Sequence, residues 1–187
     1  MPDRSHVLDL DHLRGTQGQA DLDEVPLHLK GFLAESLAYG LLRAFGVDGP
    51  PVPVRKMIQA PHPVFERLTL LELNLGLYDA AYRSLMNGSR LIAVDLDHPP
   101  AVQRAAMARE LYVAFCRSER AAEVDWPDLD RPREQSAFFA RCLLMPAAWV
   151  NRLYARFNSV EKLATVFGVS REMTVCRLRE LGVEHPS

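Results

Sequence analysis

The run from Tyr82 to Phe115, "YRSLMNGSRLIAVDLDHPPAVQRAAMARELYVAF", constrains this chain more than any other stretch. Asn87-Gly88 tolerates the positive φ angles of a tight hairpin turn, and Leu91, Ile92, Ala93 and Val94 suit a buried strand. Pro99 and Pro100 stop that strand, and proline is well placed in the first turn of a helix. The run therefore predicts a hairpin leading into a helix from about Pro100 to Arg117. Upstream, "LTLLELNLGLY" (Leu68 to Tyr78) alternates like a half-buried strand, although its leucines also permit a helix.

The remaining patterns are helical. Leu29, Leu33, Leu37, Leu41 and Leu42 repeat at helical spacing within Pro26–Phe45, and "GVDGPPVPVRKM" ends that helix. A short helix is expected from about Val52 to Gln59. A charged loop, "SERAAEVDWPDLDRP", follows the Pro100–Arg117 helix. Four more helices are expected at Glu134–Leu144, Pro146–Phe157, Val160–Phe167 and Arg171–Leu181. Ser159 and Ser170 read as N-caps, and Gly168 and Gly182 as C-terminal stops. The expected fold class is α+β, with a small sheet packed on the Pro100–Arg117 helix and a helical C-terminal part. Residues 1–24 carry Asp3, Asp9, Asp11, Asp21, Asp23 and Glu24 against Arg4 and Arg14, and predict a flexible acidic arm with a short turn at Val7–Leu13.

With 187 residues, 48% of them hydrophobic, the chain can bury one sizeable core, or one core with a small appendage. A net charge of -2 gives no global electrostatic case for nucleic acid or an anionic membrane. No apolar run approaches the ~20 residues of a membrane span, and the N-terminus lacks the basic-then-apolar order of a signal peptide. Cys116, Cys142 and Cys176 share no C-x-x-C spacing, which fits reduced thiols and a cytoplasmic protein.

On the Pro100–Arg117 helix, Ala106, Arg109, Glu110, Val113 and Arg117 fall near one stripe. Three segments, "SRLIAVDLDHPPAVQRAAMARELYVAF", "EQSAFFARCLLMP" and "LATVFGVSREMTVCRLRELGV", resemble in order and spacing the IrrE/ImmA-type zinc metallopeptidases, a zincin-like family known for cleaving repressors. The resemblance spans about Leu27 to Val183. It implies a metallopeptidase-like domain over 25–157 and a helical tail over 158–187. In that family two histidines of an H-E-x-x-H helix and a glutamate of the next helix hold zinc, while the intervening glutamate activates water.

Carried over residue by residue, the first histidine is Arg109, the general base is Glu110 and the second histidine is Val113. The third ligand is Glu134, and the aromatics Tyr112 and Phe138 replace a glycine and an asparagine. An arginine is always cationic and a valine has no donor atom, so the departures imply no zinc cofactor and no catalysis through Glu110. Tyr112 and Phe138 are expected to fill the core or line a peptide-binding groove. Together with the helical spacing, the resemblance implies that Arg109 takes the place of the metal and joins the two helices through Glu134.

The tail "VEKLATVFGVSREMTVCRLRELG" also resembles a helix-turn-helix. From Asn151 onward, however, six basic residues face four acidic ones, a thin footprint for phosphates. The leading expectation is a catalytically inactive metallopeptidase-like protein that binds a protein or peptide partner, such as a repressor-type regulator. The alternatives are a peptidase with an atypical metal site and a DNA-binding regulator acting through the tail.

Overall fold

The structure, a computed structural model, describes residues 27–60, 62–124, 126 and 132–184, without the side chains of 27–30 and 134. The acidic arm over 1–24 and the turn expected at Val7–Leu13 lie outside the described residues. Three strands form one sheet: β1 (Leu68–Leu73), β2 (Ala80–Ser84) and β3 (Arg90–Asp95), in the order β1-β3-β2. β3 pairs antiparallel with β2 and parallel with β1. Residues 74–79 therefore cross the C-terminal end of β3, where the Asp95 N–H donates to the Asp79 carbonyl at 3.0 Å. The central strand buries Ile92, Ala93 and Val94, whereas the edge strand β1 leaves Leu71 and Leu73 exposed.

The expected hairpin forms, with one difference at its turn. Only Gly88 takes a positive φ, +79°, while Leu85 and Ser89 close the loop by an N–H···O bond of 2.8 Å. This longer turn places a glycine in the left-handed region and leaves Asn87 free to accept the Ser89 N–H at 3.0 Å.

The helices are α1 (Leu27–Ala44), α2 (Val54–Gln59), α3 (Pro100–Cys116), α4 (Glu119–Glu123), α5 (Pro132–Leu144), α6 (Ala147–Phe157), α7 (Val160–Phe167) and α8 (Arg171–Glu180). α3 is the central element. It packs on β2 and β3 on one side and on α5 on the other, and α1 covers α5. Residues from Ala105 to Cys116 are accordingly buried almost all round, and Ala105, Ala106, Ala108 and Ala114 let the neighbours approach closely.

Pro99 precedes the first turn of α3, and Ser159 and Ser170 cap α7 and α8 by accepting from Lys162 and Met173 N–H groups. Gly168 ends α7 at φ +64°. The charged segment after α3 is not wholly loop: Ser118 accepts from the Ala121 N–H and starts α4. That serine cap was the available signal, masked by the surrounding charges.

The tail is docked on the body. Leu163, Phe167, Val169 and Leu178 belong to the same buried cluster as the α3 and α5 residues. Arg177, only 2% exposed, donates to the Met145 carbonyl (3.1 Å), to Glu35 on α1 (3.0 Å) and to Glu180 (3.3 Å). Burial opposes its charge, but Cys142, Glu35 and Glu180 outweigh that and raise its pKa.

Candidate functional site

The residues singled out from sequence lie on α3 and on α5 across from it. Successive helical residues differ in direction by roughly 100°, so Arg109 and Glu110 cannot face the same neighbour. Arg109 points to the sheet and forms an ion pair with Asp79, the residue just before β2. The other Asp79 oxygen accepts the Ala80 N–H at 2.9 Å, which holds the carboxylate in place. Glu110 points to α5 and is 2% exposed. Arg133 grips it with both nitrogens, at 2.8 Å to Oε1 and 3.2 Å to Oε2. A two-point arginine–carboxylate fork is among the stronger and more directional polar contacts in proteins.

The pairing expected between Arg109 and Glu134 falls on a side chain outside the described residues. Among the described residues Arg109 ties α3 to the end of the sheet through Asp79, and Arg133 joins α5 to α3 through Glu110. Neither Asp79 nor Arg133 stood out in the sequence. Each sits in a common local context, and only the fold brings them to α3.

Val113 is buried in the core. Tyr112 is buried completely, with its ring 4.9 Å from that of Phe139 and its hydroxyl accepting from Trp126 Nε1 at 3.3 Å. As a groove residue Tyr112 is therefore corrected: it is a core side chain, because its position on α3 faces the helical layer rather than solvent. Phe138 is half-buried. Its ring lies close to Gly31 of α1 and near the guanidinium groups of Arg141 (6.0 Å) and Arg177 (5.9 Å). Tyr112 and Phe138 thus do not line a common cleft.

His62 and His98 stand apart from this face in sequence and role. His62 Nδ1 accepts the Val64 N–H at 3.3 Å and caps a short 3-10 turn, and the His98 carbonyl accepts from Gln103 at 2.7 Å. Among the described residues no three His, Cys, Asp or Glu side chains converge as a metal would require. At the α3 positions the donor set does not fit zinc: Arg109 is a cation with its own carboxylate, Val113 has no donor, and both Glu110 oxygens are engaged by Arg133.

The fold is an α+β domain in which a three-stranded sheet and a helical layer enclose one central helix bearing a buried glutamate. The sequence model of the IrrE N-terminal-like domain, Peptidase_M78, matches residues 67–179, and the chain belongs to that family. The fold is similar to that of a solved Mycobacterium tuberculosis transcriptional regulator, at a TM-score of 0.59 and 14% sequence identity. That match covers 81% of this chain but 46% of the regulator, so this chain spans less than half of its relative's length. No curated protein matches the sequence. No helix among the described residues is long and apolar enough to cross a membrane.

Proposed function

We propose that this chain is a zincin-like metallopeptidase scaffold that has lost metal-dependent hydrolysis and acts as a protein- or peptide-binding regulatory module in the cytoplasm. The observation that carries the reading is the Arg133 fork on Glu110. A general base must reach a water molecule, and a carboxylate with both oxygens committed to an arginine in a nearly dry site is poorly suited to that role. Arg109 and Val113, at the places where the family resemblance puts histidines, support the same conclusion.

A repressor-type regulator is the proposed partner class. Similarity to a transcriptional regulator supports it only as a context for the fold, since at 14% identity the likeness concerns architecture. Residues 158–187 are read as a helical extension of the 25–157 body rather than a DNA reader. Thr174, Arg177 and Leu178 of α8 are buried, and Arg171 is paired with Glu161 at 3.1 Å.

Elemental analysis of protein purified without chelator tests the reading together with peptide hydrolysis in the presence of added zinc. Zinc far below stoichiometric and no hydrolysis above a heat-denatured control are expected. Metal-dependent hydrolysis abolished by Glu110→Gln would overturn the proposal.

A further inference from the structure

A cleft of about 520 Å³ opens between the β2–β3 hairpin, the segment before β1 and the α3–α4 junction. It lies about two helical turns along α3 from Glu110, and none of Arg109, Glu110, Val113 and Arg133 lines it. Four arginines line it: Arg67, Arg90, Arg117 and Arg120, against the carboxylates of Glu66 and Glu119. These cations are not equally committed. Arg90 donates to the carbonyls of Glu66 and Ala114, and Arg120 pairs with Glu123 at 3.0 Å. Among the described residues neither Arg67 nor Arg117 has a carboxylate partner or a side-chain hydrogen bond.

A buried polar group lies behind the same wall. Tyr82 is 8% exposed, and its hydroxyl is buried without a hydrogen-bond partner. That hydroxyl lies near Arg90, Arg117 and Ser84, all of which line the cleft, although none meets it in hydrogen-bond geometry. The hydroxyl is buried behind these residues and does not itself line the cleft, so a ligand in the cleft meets the arginines rather than the tyrosine. Ser84 and Ser118 add neutral hydroxyls to the lining, Ser118 already donating to the Phe115 carbonyl at 2.6 Å.

We propose that this cleft binds the phosphoryl group of a small phosphorylated molecule. Phosphate oxygens can accept from the uncommitted guanidinium groups of Arg67 and Arg117 in the lining, the geometry for which arginine is suited. The volume exceeds that of a phosphate alone and falls in the range of small-ligand pockets, which leaves room for the organic part of a phosphomonoester. The proposal does not depend on the reading of the α3–α5 face.

Isothermal titration with inorganic phosphate and with adenosine 5′-monophosphate, using adenosine as the uncharged control, tests it. Both phosphate probes bind in the expected result, and adenosine alone does not. The double variant Arg67→Ala/Arg117→Ala weakens binding by about tenfold or more, whereas Tyr82→Phe, which removes a buried hydroxyl outside the lining, leaves it unchanged. Neither change removes a contact that holds the fold, and circular dichroism confirms that each variant is folded. No binding of either phosphate probe to the folded native protein would overturn the proposal, as would equal binding to the native protein and the double variant.

Discussion

Arg133, on the first turn of α5, closes both guanidinium nitrogens on the buried carboxylate of Glu110 on α3. The two partners differ in exposure: the Glu110 side chain is 3% exposed and that of Arg133 61%. Solvent screens the arginine, whereas the glutamate bears most of its desolvation. Arg133→Ala is expected to destabilise the protein by about 1–2 kcal/mol, between the values for surface and buried pairs. Glu110→Gln in the same background recovers part of that loss, since a neutral amide is easier to bury. Urea unfolding of the two single variants and the double variant measures the coupling, which a broken or absent pair would bring to zero.

Arg177 joins the tail to the body through α1 and the Met145 carbonyl, with its guanidinium buried. Arg177→Ala removes these hydrogen bonds and leaves Glu35 without this cation, a loss of about 3 kcal/mol. Arg177→Lys recovers little, because a point charge cannot make the same divergent contacts. Cys142 beside it has its pKa pushed up to about 12, by burial first, with Glu35 and Glu180 adding and Arg177 opposing. Its alkylation at pH 8 is therefore slow in the native protein and accelerates in Arg177→Ala if the tail detaches.

Gly168 ends α7 at φ +64°, and a Cβ built there would lie 3.2 Å from Arg104 Nε. Gly168→Ala combines left-handed strain with a displaced Arg104, which donates to the Val52 carbonyl at 2.5 Å. A loss of about 1–2 kcal/mol is expected from the backbone alone. Thermal unfolding reads it, and an unchanged Tm would mean that the α7–α8 junction relaxes freely.

His62 gives the fold a predictable acid dependence. Burial lowers its pKa from 6.5, and its Nδ1 acts as an acceptor toward the Val64 N–H, which requires a deprotonated nitrogen. Above pH 6.5 the side chain is largely neutral in both folded and unfolded chains. As pH falls below 6.5 the unfolded chain takes up the proton first, so this contribution is lost progressively until pH passes the folded pKa. Chemical denaturation at stepped pH tests this: His62→Asn, which keeps a capping oxygen, is expected to flatten that part of the profile.

Short-range patterns were enough to read much of the architecture. Proline and glycine punctuation, the hairpin turn and the serine caps located α3, α6, α7, α8 and the β2–β3 hairpin to within a residue or two, because backbone conformation at those points depends on adjacent residues. The family resemblance, likewise carried by local motifs and their order, agrees with the family match over 67–179. Partner choice was a different matter. Arg109 and Glu110 are neighbours in sequence, yet one meets Asp79 thirty residues earlier and the other meets Arg133 on α5. Spacing along a helix places a charge on a face, but which opposite charge arrives there depends on how the sheet and α5 pack around α3. The same holds for Tyr112, which a helical pattern can place toward a groove or toward the core. Only the packed layers decide between them, since burial is a property of the assembled surfaces and not of the segment that carries the ring.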